Sequence, residues 1–335
     1  MERKWMLAIL VAALSVIVLQ FFIRPVYVSD DDVLYLLTLS GGLGHSPSNL
    51  VHVSYGWHPL YGWLVKTFFI YYPHLNWYTV FLLLFHTFGL SAICYFLLSR
   101  FKFATGLLVY FLLFIVFEVR LLQHLDFTGS AMICAIGGCL VLSLARKRNR
   151  YLYSGACLVL AALLLRFHIA ALVVILFAPL FIFPLLVKNI RMMVLCLCSI
   201  GVCWLLLHKS QIEYYNRAVP NWKERSAFRD DFFYLVNHAT SSKKQKEIIQ
   251  NEADLNLLQS GFLYDPARFN TTTLSTLKAA TVTHRNPFDA GEREALYWTV
   301  MENKIYLCLL FLTFIFYTSP IKKLLYGAFL TPCFR

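Results

Sequence analysis

The sequence predicts an all-α polytopic transmembrane protein, with about eight spans, an interfacial helix in its first loop and a small, mostly helical outer domain. Three observations carry this. Of its 335 residues 59% are hydrophobic and only 14% are charged, against about a quarter charged in soluble domains. The apolar residues come in runs, several of them long enough for the roughly 30 Å of a bilayer's hydrocarbon core. The basic residues behind the net charge of +12 fall in short clusters between those runs. That is the pattern of topology signals, and no single basic stripe points to a nucleic-acid partner.

Met1-Glu2-Arg3-Lys4 and the apolar run 5–23 begin like a signal peptide. The run is of spanning length with no small-residue cleavage pattern behind it, so it reads as a retained anchor. Further runs of spanning or near-spanning length lie at 77–98, 103–122, 127–145, 151–165, 169–187, 192–207 and 305–318. The segment 57–72 is interrupted by His58, Pro59, Gly62 and Lys66, and whether it spans flips everything after it. If it does not, Arg100/Lys102, Arg146-Lys147-Arg148-Asn149-Arg150, Lys188/Arg191 and Lys322/Lys323 all share a side with Arg3/Lys4, as the positive-inside rule requires. We therefore expect 57–72 to lie in or dip into the outer interface, with a short tilted ninth span as the alternative. The resulting organisation is a transmembrane core at 1–207 with an acidic first outer loop at 25–76, an outer cap at 208–303, and a last helix and tail at 304–335. Most of the nine cysteines lie inside apolar runs, so neither disulfides nor a zinc site is expected.

The candidate chemistry begins with Asp30, Asp31 and Asp32, directly before the apolar run 33–39. If that run is helical, a carboxylate there caps the helix and meets its dipole favourably. Capping explains one aspartate better than three, because each added carboxylate brings repulsion that a cation or a shared proton must relieve. Such a cluster can also hold a divalent cation or take a proton from a hydroxyl. Arg166, at the outer end of the fifth span, suits either a plain interfacial anchor or a grip on a lipid phosphate. Arg225 and Arg229 share a helix face and could do the same, or pair with Glu224, Asp230 or Asp231. Glu118 and Arg120 lie at membrane depth, with Gln123, His124 and Asp126 in the turn to the next span. The first-loop histidines His45, His52, His58 and His74 lack a compact metal spacing.

Several short motifs then carry a resemblance. They are Ser29-Asp30-Asp31-Asp32, Ser40-Gly41-Gly42, Pro59-Leu60-Tyr61-Gly62-Trp63-Leu64 and Pro73-His74-Leu75-Asn76-Trp77-Tyr78. Leu125-Asp126-Phe127-Thr128, Leu165-Arg166 and Tyr215-Asn216-Arg217-Ala218 complete the set. Together with an acidic cluster after the first span and a late outer domain, they make the chain resemble the GT-C superfamily of membrane glycosyltransferases, in particular a group of uncharacterised bacterial GT-C-like proteins. The resemblance implies a base or metal-ligand role for Asp30 or Asp31, with Asp32 an unassigned third. It also implies a sugar donor on a polyprenyl phosphate or pyrophosphate. The chain departs from the family pattern at its end, where 305–318 is followed only by 319–335 and members usually have more spans, so the expectation is that either the last spans are missing or this is a shortened and inactive or still active member.

The expectation is therefore a multi-pass bacterial inner-membrane glycosyltransferase, N-terminus cytoplasmic, that moves a sugar from a polyprenyl-phosphate-linked donor to an envelope glycan or lipid acceptor. Asp30, Asp31 and Asp32 are the catalytic candidates, Arg166, Arg225 and Arg229 the lipid-phosphate ligands, and Asp30 with Asp31 the place for Mg2+ or Mn2+. The alternatives are a lipid-linked oligosaccharide flippase or transporter, against which the apolar centres of most spans argue, and a non-catalytic membrane partner in envelope polysaccharide assembly.

Overall fold

The computed structural model describes residues 2–27, 30–42, 44, 46–50, 57–144, 149–238, 248 and 270–282. The expected last span at 305–318, the tail behind it, His45, His52 and much of the expected cap lie outside these residues. The described chain is predominantly helical. α1 (Glu2–Phe22) leads into a two-residue strand β1 (Val26–Tyr27) and then α2 (Asp30–Ser40), which Gly41 closes with a positive φ of 79°. α3 (Pro59–Tyr71) and α4 (Trp77–Arg100) come next. α5 (Phe103–Leu113), a π-helical turn (Phe114–Glu118) and α6 (Val119–Gln123) form one continuous rod. β2 (His124–Leu125) pairs in parallel with β1, and α7 (Phe127–Ser143), α8 (Asn149–Leu165) and α9 (Phe167–Ala218) complete the first unit. Among the described residues three helices are long and apolar enough to cross a membrane, Arg3–Phe22, Trp77–Arg100 and Phe103–Gln123. Phe127–Ser143, Arg150–Leu165 and Phe167–Ala178 are apolar but shorter.

α1 and α4 pack antiparallel, because Lys4 donates to the Leu98 carbonyl (2.8 Å) at one end and the Tyr27 hydroxyl bonds Thr79 Oγ1 (2.6 Å) at the other. α7 is buried along nearly its whole length, between α4 and α8. Small residues permit this. A Cβ on Gly137 would lie 2.6 Å from the Gly89 carbonyl oxygen, so α4 and α7 touch backbone to backbone. Tyr95 near the end of α4 contacts Trp5 (ring centroids 4.4 Å) and bonds the Tyr151 hydroxyl (2.6 Å). Lys4, Arg100 and Arg150 therefore share one end of the bundle. The opposite end, about 25 Å away along α4, carries Asp32, Tyr78 and Phe127.

That arrangement bears directly on 57–72. α3 has 13 residues, about 20 Å of helix, and both its ends pack at the acidic end of the bundle. The His58 N–H donates to Leu164 O (3.0 Å) and the Tyr61 hydroxyl to Ala161 O (3.1 Å), while Phe68 stacks on Trp77 (4.7 Å). α3 thus lies across that end. α9 covers 52 residues, and residues of its two halves come together. Phe167 and Trp204 stack at 4.2 Å, whereas a straight helix would hold them about 55 Å apart. His58 clamps the second half to α3: its Nε2 bonds Leu207 O (3.0 Å) and its Nδ1 accepts from Leu60 N–H (3.2 Å).

A second compact unit begins at Glu213. It contains α10 (Trp222–His238) and α11 (Thr271–Val282), packed through Leu235, Leu274 and Leu277 with Phe228, Phe232 and Ile248 against them. Asn221, in the left-handed region at φ 56°, turns the chain from α9 into α10. Lys278 pairs with Asp231 at 2.7 Å.

Gly137→Ala forces α4 and α7 apart and should cost about 1–3 kcal/mol, while Gly201→Ala, with open space around its Cβ, should be neutral or gain up to about 1 kcal/mol. Thermal unfolding in detergent reads the difference, and equal melting of both variants would contradict the close α4–α7 contact. Burial, the largest influence, holds the His58 imidazole below its ordinary value, with the Leu207 carbonyl opposing it. The unfolded chain then takes up the proton first as pH falls below about 6.5. The clamp is fully present above that value and is lost as pH falls toward the lower folded one. Protection of the α3 amides, corrected for the intrinsic exchange rate at each pH, should fall between about pH 7 and pH 5, and His58→Phe should lower it at both while removing the pH dependence.

Candidate functional site

The acidic end is built around Asp32, which is fully buried. Its Oδ1 accepts from the Tyr78 hydroxyl in a short bond and from Phe127 N–H at 3.3 Å. One carboxylate thereby ties α2 to the first turns of α4 and α7. Aromatic rings enclose it: Tyr35 lies 5.3 Å from Phe127 and 6.0 Å from Trp57, and Trp57 stacks on Tyr78 at 5.0 Å. Tyr27, held by Thr79 and Asn76 Nδ2 (2.8 Å), stands beside Tyr78. Burial raises the Tyr27 hydroxyl above its ordinary range and Asp32 adds to the rise, while Thr79 and Asn76 oppose it.

The three aspartates do not share one environment. Successive helical residues point about 100° apart, so α2 cannot bury all three side chains in the same place. Asp32 is buried and Asp31 half-buried, and the side chain of Asp30, the first residue of α2, lies outside the described ones. Of the two described side chains, the buried one is the aspartate that the family resemblance leaves without a role.

A second charged group stands behind Phe127. Asp126 caps α7 by accepting from Gly129 N–H (2.6 Å). Its carboxyl is pushed above the usual carboxylate value, burial being the largest cause, while the Gly129 N–H, the charges of His86 and Arg166 and the Thr128 hydroxyl pull it back. Arg166 breaks the chain between α8 and α9, is half-buried, and lays its guanidinium over the Phe127 ring at 4.6 Å. Deeper in the bundle, His86 (0% exposed) and Glu118 (2%) form a short Nδ1–Oε1 pair. His86 lies two turns below Tyr78, about 12 Å, and its Nε2 is buried with no hydrogen-bond partner among the described residues.

The sequence marks Asp126 as a turn residue and, like Tyr78, as part of a short motif of the resemblance without assigned chemistry, and it holds no signal for Trp57 or His86. A lone tyrosine or histidine in an apolar run carries no periodicity to mark it. Local neutralisation would pair Glu118 with Arg120. The structure pairs it with His86 instead and leaves Arg120 exposed. Of the second unit's arginines, Arg225 is exposed, while Arg229 pairs with Asp230 at 3.1 Å and stands over Trp222 at 5.9 Å, the arrangement of a mixed-charge surface. Among the described residues no group of three or more His, Cys, Asp or Glu side chains converges on a metal position. No protein-family model, curated protein or solved structure matches the chain.

Asp32→Ala leaves the Tyr78 hydroxyl and the Phe127 N–H unpaired in the interior and should destabilise by about 3–5 kcal/mol. Asp31→Asn, on a half-exposed side chain, should fall within about 0.5 kcal/mol. Melting curves of the two variants check the division of labour, and equal losses would show that the triplet acts as one structural cap.

Proposed function

We propose that the chain is a GT-C-type membrane glycosyltransferase that transfers a sugar from a polyprenyl-phosphate-linked donor to an envelope glycan or lipid acceptor. The observation that carries this reading is the convergence at one end of an apolar bundle of the Asp31 and Asp32 carboxylates, the Asp126 carboxyl and the Arg166 guanidinium. The opposite end holds Lys4, Arg100 and Arg150. In a membrane with positive charge inside, that distribution supports an acidic end at the outer leaflet and a cytoplasmic N-terminus. About eight spans of a bacterial inner-membrane protein, with the second unit as an outer cap, belong to the same reading.

In this mechanism the donor's phosphate approaches Arg166, whose planar fork suits phosphate oxygens. A carboxylate of Asp30 or Asp31 takes the proton of the acceptor hydroxyl. The acceptor oxygen forms a new bond to the anomeric carbon as the bond from that carbon to the phosphate oxygen breaks. The lipid phosphate departs with the bonding pair, and the anomeric centre inverts. Asp126, with its raised carboxyl, is a second group able to accept the proton at neutral pH. Mg2+ or Mn2+ on Asp30 and Asp31 would add charge to the phosphate side. Arg166 is the phosphate ligand of this reading, Arg229 being paired with Asp230.

The buried His86–Glu118 pair favours a second reading, a lipid-linked oligosaccharide transporter, since ionisable groups inside a membrane bundle commonly mark transport paths. One experiment separates the two. Purified protein in nanodiscs, given a panel of synthetic polyprenyl-phosphate sugars, should release polyprenyl phosphate. Asp30→Asn with Asp31→Asn should lower that release about a hundredfold or more. Release insensitive to both substitutions, or flipping of the intact donor in proteoliposomes without release, would count against the transferase.

A further inference from the structure

Below the acidic end stand three titratable side chains, Asp126, His86 and Glu118, of which the transferase mechanism uses only the first. Asp126 caps α7, and the charge of His86 acts on its carboxyl. His86 holds Glu118 through Nδ1, while its Nε2 is buried with no hydrogen-bond partner among the described residues. The register of α4 on α7 sets the depth of that ring. A Cβ on Gly89 would meet Ile133, and one on Gly137 would meet Ala92. One turn from Gly89 toward the acidic end, His86 is therefore level with Gly129 and Ser130 in the first turn of α7. Ser130 is fully buried, and its hydroxyl donates to the Asp126 carbonyl (2.7 Å). His86 thus stands one turn of α7 below the Asp126 cap, about 6 Å.

We propose that His86 and Glu118 form a proton store that fills and empties through Asp126, with Nε2 of His86 as its port. The inference goes beyond both readings above and needs no lipid-linked ligand. With Nδ1–H donated to the Glu118 carboxylate, the pair carries one negative charge inside an apolar bundle, and the bare Nε2 is a proton acceptor. A proton leaves the Asp126 carboxyl, is passed on by one water lodged at the Ser130 hydroxyl, and binds Nε2. Asp126 is left ionised, and the pair becomes imidazolium beside carboxylate. A shift of the Nδ1 proton to Oε1 then makes both groups neutral. Either product removes a net buried charge, which is the costly state.

The groups around the store decide where the path ends. Asp126 faces it from α7, with the Arg166 guanidinium acting on Asp126, and Tyr78 with Asp32 stands two turns above. α1 carries no titratable side chain between Lys4 and Arg24. From α3 comes Tyr61, whose ring meets Phe85 and feels Cys134 of α7. On the inner side Glu118 acts on Tyr110 of α5, as does Cys94 of α4. Phenols and thiols keep their protons at neutral pH, so the path stops at the pair and the acidic end is its one mouth.

Nitrogen NMR of the full chain in nanodiscs, with histidine isotopically labelled, reads both ring nitrogens. The His86 signals are those moved by Glu118→Gln, and His86→Asn assigns them independently. Lowering the pH from about 8 to about 5 should convert Nε2 from bare to protonated, and solvent deuterium should reach it. Asp126→Asn caps α7 as well as aspartate does but carries no proton. It should slow that exchange about a hundredfold, and Asp126→Glu should restore it. A Nε2 that keeps one state across this range would overturn the store. Exchange equally fast in Asp126→Asn would overturn the port at Asp126. Proton flux across proteoliposomes that Glu118→Gln abolishes would make the path continuous and overturn the dead end. None of these measurements uses a sugar donor, so the transferase reading stands or falls separately.

Discussion

The acidic end of the bundle depends on one buried carboxylate. Taking Asp32 out of water carries a penalty of several kcal/mol unless hydrogen bonds replace the lost solvation. The Tyr78 hydroxyl and the Phe127 N–H supply them from positions 46 and 95 residues away in sequence. The bond geometry therefore fixes α2, α4 and α7 relative to one another, and the aromatic rings of Tyr35, Trp57 and Tyr78 close around the joint. The helix that anchors itself through Asp32 carries its two neighbours with it. Asp31 is turned toward a half-exposed surface by the same 100° step that turns Asp32 inward, so a tethering role and a chemical role are available from adjacent residues.

Below that joint, glycines let α4, α7 and α8 approach backbone to backbone, and a buried pair joins α4 to the π-helical turn. His86 and Glu118 are both almost fully enclosed, and neither is tolerable there without the other. The π-helical turn ending at Glu118 rotates α6 relative to the register of α5, which is how such turns re-aim a side chain. Without it, α5 and α6 would continue as a plain helix with a different face toward α4. The irregular backbone and the buried ion pair are one feature seen from two sides.

Much of this organisation is legible in the sequence, and the hidden part has physical reasons. Run lengths mark the membrane helices, and the charge clusters argue that 57–72 returns to the side where it started; Lys4 against Leu98, and Tyr95 against Trp5 and Tyr151, display the same polarity in space. The turn chemistry of Asp126-Phe127-Thr128-Gly129 marks the start of α7. The choice among three neighbouring aspartates is not legible, because burial of one depends on a tyrosine and a backbone amide from distant segments. The His86–Glu118 pair is hidden for the same reason. Its members lie in different runs, and only their packing makes them partners.

The charges around Asp126 are balanced in a way that responds to an arriving anion. Burial raises its carboxyl, and the nearby charges of His86 and Arg166 lower it. A phosphate that draws the Arg166 guanidinium to itself adds negative charge nearby and weakens one of the forces holding Asp126 ionised. In the proposed transferase its proton affinity would rise as a donor phosphate seats, which would make it a better acceptor for the proton of an acceptor hydroxyl. The stacking of Arg166 on Phe127 keeps the guanidinium beside the same residue whose backbone N–H holds Asp32. A displacement of Arg166 toward a phosphate would thus reach the buried carboxylate through Phe127, and the proton-accepting and tethering halves of the acidic end would respond to the donor together.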